Sequence, residues 1–182
     1  MPKPLSISSG TGSSALPDDL SLYIGKKTLV KLILEAVDGI ELGGSRAGGV
    51  TSETVVVQPA MMLTLLTYCY ATGVYGSMDI ELNIRRDQMT RYLCAKTYPD
   101  IDEIRSFRRD CRRIIKHCLV AVLGRVWELR FCGDDAEPIG GLSYVGSSLD
   151  RWSGTRSTPN FSNEAEERIA RAIRADSMAL DV

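Results

Sequence analysis

Between residues 26 and 37 the apolar positions Leu29, Leu32, Ile33, Ala36 and Val37 recur at helical spacing, so the segment predicts an amphipathic helix that Asp38-Gly39 brings to an end. Residues 42–53 form a glycine-rich connection, and Val55–Val57 are β-branched but too few to define a strand. Pro59 suits a first helical turn, where a missing N–H is tolerated. The run from Met61 to Thr72 is apolar nearly all round, which predicts a central helix ended by Gly73. Ser77 can cap a further helix from Met78 to about Arg86. Its alternating Met78, Ile80, Leu82 and Ile84 leave a strand open, while Asp79, Glu81 and the short bracketing turns favour helix. A short helix, Gln88 to Ala95, presents Met89, Tyr92 and Leu93.

Asp100 followed by Glu103 reads as a capping box. From there Ile101, Ile104, Phe107 or Cys111, Ile115, Cys118, Leu119 and Val122 keep helical spacing, predicting one long helix over about 101–122. Beyond Leu123 the pattern changes. "RVWELRF" (125–131) and "GLSYVGSSL" (141–149) predict a β-hairpin around a turn-rich connection, and "TRSTPN" predicts a loop. Asn163 with Glu166 can cap a last helix through about Ala175, with Ala165, Ile169, Ala172 and Ile173 inward. The expected organisation is therefore a leader at 1–19, a helical domain at 20–123 and a C-terminal appendage at 124–182. The fold class is mainly α: a helical bundle plus a small C-terminal hairpin and a terminal helix.

Composition narrows the function classes. With 182 residues, 44% of them hydrophobic, the chain can bury one real core. No apolar run reaches the roughly 18–20 residues of a membrane span, and the Ser-, Gly- and Pro-rich start lacks the apolar centre of a secretory signal, so a cytoplasmic protein is expected. The five cysteines (Cys69, Cys94, Cys111, Cys118, Cys132) are scattered with no C-x-x-C, which favours buried thiols over disulfides or a zinc site. His117 is the only histidine and lies in a basic segment, a poor setting for a general base. No metal, cofactor or small-molecule substrate is expected.

Charge supplies the one candidate site. The chain carries net −1, yet residues 85–116 hold ten Lys or Arg against five Asp or Glu. Within "IRSFRRDCRRIIKH" (104–117), Arg105, Arg109, Arg112 and Lys116 fall on one helical stripe, widened by Arg108 and Arg113. A basic helical face is by itself ordinary solvated surface. Arginine's planar fork, however, suits phosphates and guanine edges, and a capped helix start offers backbone N–H groups to a phosphate. The tyrosines Tyr68, Tyr70, Tyr75 and Tyr92 could stack on bases, but their apolar settings favour core packing.

The stretch "MMLTLLTYCYATGVYGSMDIELNIRRDQMTRYLCAKTYPDIDEIRSFRRDCR" (61–112), with "LVKLILEAVDGIEL" upstream, resembles the N-terminal domain of bacterial insertion-sequence transposases of the DDE cut-and-paste type. The likeness runs from "LPDD" at 16 to "VAVL" at 123. It implies a helix-turn-helix-like arrangement that binds double-stranded DNA. Ser77 would start the helix after the "YATGV" turn, Pro99 and Asp100 would lie at the start of a recognition-like helix, and Phe107, Arg108 and Arg109 would form its signature. Where the family commonly has a basic run, this chain has "YGSMDIE".

The family's catalytic domain needs three carboxylates for two metal ions. Only Asp150 has a comparable setting, and it is followed by Arg151 instead of glycine, so no strand-transfer activity is expected and residues 124–182 read as a possible remnant. In helix-turn-helix docking Arg105, Ser106 and Arg109 would reach base edges. Arg112, Arg113 and Lys116 would meet phosphates, and Arg85, Arg86 and Arg108 complete the candidate set. So small a footprint on one monomer favours a homodimer. The alternative is a protein-interaction module, acting by self-association or by pairing with a full-length transposase.

Overall fold

The computed structural model describes residues 16–40, 59–95, 97–132 and 159–180. In chain order the helices are α1 (Ser21–Ile24), α2 (Lys26–Asp38), α3 (Pro59–Ala71), α4 (Ser77–Arg86), α5 (Gln88–Leu93), α6 (Ile101–Asp110), α7 (Arg112–Trp127) and α8 (Phe161–Leu180). A π-helical turn, Glu128–Cys132, extends α7. The protein is mainly α, and no strand occurs among the described residues.

α3 has no polar face to turn toward water, so it can only be central. Every residue from Met62 to Ala71 is buried. Thr64 is accommodated there because its Oγ1 donates to the Ala60 carbonyl at 2.8 Å. Gly73, at φ +81°, reverses the chain, and the Val74 N–H donates to the Cys69 carbonyl at 2.8 Å, closing α3 with a Schellman-type end. A side chain at Gly73 would have to adopt that left-handed conformation at a cost. Around α3 pack α2, α5 and α7, with α6 and α8 completing the bundle. The predicted capping box of α6 is present: the Glu103 N–H donates to Asp100 Oδ1 at 2.8 Å, and Glu103 Oε2 accepts from the Asp100 N–H at 2.9 Å.

Several expectations are corrected. The long helix predicted over 101–122 is two helices. Cys111, at φ −108° and ψ 16°, leaves the helical region and separates α6 from α7. Apolar spacing runs straight through the break, so the cause is tertiary: α6 and α7 share α3, but α6 also packs on α4, whereas α7 also packs on α2 and α8. One straight rod cannot serve both sets of neighbours. The predicted first strand, 125–131, is instead the end of α7 and its π-helical turn, because Val126 continues the buried face of Leu119, Val122 and Leu123. The second half of the expected hairpin, 141–149, lies outside the described residues, as does Asp150.

The last helix begins earlier and ends later than predicted. Its first-turn cap is Asn160, whose Oδ1 accepts from the Asn163 N–H at 3.1 Å. Ala165, Ile169 and Ala172 are buried as expected, while Ile173 faces solvent. α8 runs back along the bundle. Phe161 meets Trp127 edge to face at 6.4 Å between ring centroids, Glu166 meets Lys116, and Asp176 meets Arg105 and Arg108. The expected boundary at 123 therefore falls inside α7, with α8 packed on the same core. At the other end, Leu16 and Leu20 are buried, and the Leu20 N–H donates to the Ala71 carbonyl at 2.9 Å, so the end of the expected leader belongs to the fold.

Because α3 is enclosed on all sides, deleting a side chain there leaves a cavity that cannot easily collapse. Leu63→Ala should lower the unfolding free energy by about 2–5 kcal/mol, read as a shifted urea midpoint with an unchanged slope.

Candidate nucleic-acid interface

The basic segment divides into a buried part and an exposed part. Arg108 belongs to the interior. Its guanidinium donates to Tyr70 Oη at 3.2 Å, to Ser77 Oγ at 3.3 Å and to Asp176 Oδ2. Arg105 stands at the edge of the same cluster, with Nε 3.4 Å from Asp176 Oδ2. Asp176 also accepts from the Ser77 N–H and the Ser77 Oγ, each at 2.7 Å. The sequence suggests that Ser77 caps α4 with its own side chain. Instead a carboxylate from α8 accepts from the first turn of α4, where the helix dipole favours negative charge. Burial alone would raise the Asp176 carboxyl, but the two Ser77 bonds and the Arg108 guanidinium outweigh it and hold the group below its ordinary range.

A second buried cation lies outside the predicted set. Arg168 on α8 is 0% exposed. Nη1 donates to the Tyr70 carbonyl at 2.7 Å and the Asp18 carbonyl at 2.9 Å, Nη2 donates to the Pro17 carbonyl at 2.5 Å, and Nε meets Glu164 Oε1 at 2.9 Å. The Tyr70 carbonyl is one of the C-terminal groups that α3 leaves without an intrahelical partner, at the helix end whose dipole attracts a cation. An arginine spaced between Ala165, Ile169 and Ala172 is the available signal, since a cation on an apolar stripe needs buried acceptors.

The remaining predicted residues lie nearer solvent. Arg112 and Lys116 both bond Glu166 of α8, Lys116 at 3.2 Å, and hold its carboxyl below the ordinary range. Their side chains stay 46% and 35% exposed, and that of Glu166 stays 39% exposed. Arg109, 76% exposed, stands 3.8 Å from Asp110. Ser106 donates to Asp110 at 3.4 Å. Arg113 and Arg86 are exposed, and Arg85 is exposed but bonds Glu81 on its own helix at 2.6 Å. The stripe expected to face outward is thus only partly free: α8 engages Arg105, Arg112 and Lys116, and Arg108 is enclosed.

Cys69, Cys94, Cys111 and Cys118 are free thiols in the core, and burial raises Cys94 and Cys118 to about 11. Among the described residues no group of His, Cys, Asp or Glu is arranged to hold a metal ion, and no helix is long and apolar enough to cross a membrane. In comparisons with known proteins, no family model, no curated protein and no solved structure matches the chain.

Removing the Asp176 charge leaves Arg108 buried without its anion, a change that typically costs about 3–5 kcal/mol. Asp176→Asn should destabilise the protein by that order at pH 7. Because the folded-state group titrates below its ordinary range, its contribution is complete above about pH 4 and fades as pH falls through the depressed value. Urea unfolding across pH 2–7 should show a steeper acid loss in the parent than in Asp176→Asn.

Proposed function

We propose that this protein is a DNA-binding module without catalysis, gripping the phosphate backbone of a duplex through the helical junction between α6 and α7. The observation that carries the reading is the set Arg109, Arg112, Arg113 and Lys116, four cations in eight residues around Cys111, none of them buried. Two carboxylates, Asp110 and Glu166, stand against them. The resemblance to transposase N-terminal domains supports the same face.

The geometry changes which residues do the work. Arg105 and Arg108 hold α8, so they are withdrawn from base reading, and Arg109 alone of the predicted base-edge arginines stays free of α8. Phosphate contacts position a protein on DNA and specify little. Binding is accordingly backbone-dominated, with weak sequence preference, and a homodimer would double its footprint. A second reading, self-association, is favoured by Met78 and Leu82, exposed one turn apart on α4.

Fluorescence anisotropy of a labelled mixed-sequence duplex across 25–200 mM salt tests the proposal. The double variant Arg109→Ala/Arg113→Ala should flatten the slope of log affinity against log salt by about two units, near 0.9 for each phosphate no longer neutralised, and should keep the parent's melting temperature. An unchanged slope would sink the reading. Concentration-dependent sedimentation that Leu82→Glu abolishes, without any duplex binding, would support self-association instead.

A further inference from the structure

α8 is attached to the bundle by two kinds of interaction that differ in how easily they are replaced. Asp176 and Arg168 are buried and bonded to several partners each, and Ala165, Ile169 and Ala172 of the same helix are buried in the core. Both buried charges would be costly to strand without their partners, so these interactions hold α8 on the bundle. Glu166 is different. Its half-exposed carboxylate bridges two half-exposed cations, Arg112 and Lys116, that sit beside the exposed Arg109 and Arg113. A phosphate bridging the same two cations would have to compete with that carboxylate. Exposed pairs of this sort contribute little to stability, so the bond can open without unfolding the helix.

We infer that Glu166 is a built-in competitor for DNA, an autoinhibitory contact in which α8 holds Arg112 and Lys116 until a phosphate displaces the carboxylate. The inference rests on the DNA-binding reading above and adds its regulation. It makes the free protein a weak binder whose full cationic face, Arg109, Arg112, Arg113 and Lys116, is available only once Glu166 has turned away. Glu167, the next residue, bonds Arg174 at 2.7 Å and approaches Arg171 at 3.6 Å, both on α8 itself, and so provides a control of equal charge.

The test uses the full chain and a labelled mixed-sequence duplex at several salt concentrations. Glu166→Gln should bind about tenfold tighter than the parent at low salt and steepen the salt slope by up to two units, with an unchanged melting temperature. Glu167→Gln should change affinity by no more than about twofold. Arg112→Ala should cost little in the parent, where the cation is already engaged, and several-fold in the Glu166→Gln background. Equal gains from Glu166→Gln and Glu167→Gln would reduce the effect to net charge and overturn the inference. If the parent binds DNA and Glu166→Gln binds it no better, the inhibitory contact alone falls. If neither retains duplex at 25 mM salt, the DNA-binding reading falls, and the inference with it.

Discussion

A single carboxylate, Asp176, ties four helices together. From α8 it accepts the Ser77 N–H in the first turn of α4 and neutralises Arg108 of α6, which in turn donates to Tyr70 of α3. About two turns earlier on α8, Arg168 makes the complementary contact with the end of α3, donating to the Tyr70 carbonyl. An anion meets a helix N-terminus and a cation meets a helix C-terminus, each on the side the helix dipole favours. Both charges are buried, so each depends on its partners: a lone ion would be expensive, and the paired ion fixes where α8 can sit.

That docking decides what the basic segment can do. Arginines adjacent in sequence have separate tasks because α6 and α7 present them to different surroundings. Arg108 is consumed by the core and Arg105 by its edge. Past the break at Cys111, Arg112 and Lys116 share one half-exposed carboxylate, while Arg109 before the break and Arg113 after it face water. A net positive segment is therefore part scaffold and part candidate phosphate grip. Only the second part can respond to salt, because buried pairs are screened far less than exposed ones.

Helix positions are largely legible from apolar spacing. α2, α3 and the capping box of α6 follow from local rules, since each depends on residues within a few turns. The misses share a cause. The break at Cys111 carries no proline or glycine and keeps the apolar spacing, because it answers to different neighbours on either side. "RVWELRF" alternates well enough to suggest a strand, but Val126 is held in the face that α7 buries. The roles of Arg108 and Arg168 depend on Asp176 and on the carbonyls of Tyr70, Asp18 and Pro17, partners distant in sequence that local periodicity cannot supply. Charge density is visible in the sequence; which charges are spent on folding is not.

The division of the basic segment into structural and surface cations is tested most directly by urea unfolding of two neighbouring variants, Arg108→Ala and Arg113→Ala, at pH 7 and in both low and high salt. Arg108→Ala should lose about 3–5 kcal/mol, little altered by salt, and Arg113→Ala should change stability by no more than about 0.5 kcal/mol. Equal and small effects at both positions would mean that Arg108 does not hold α8, and the partition would be wrong.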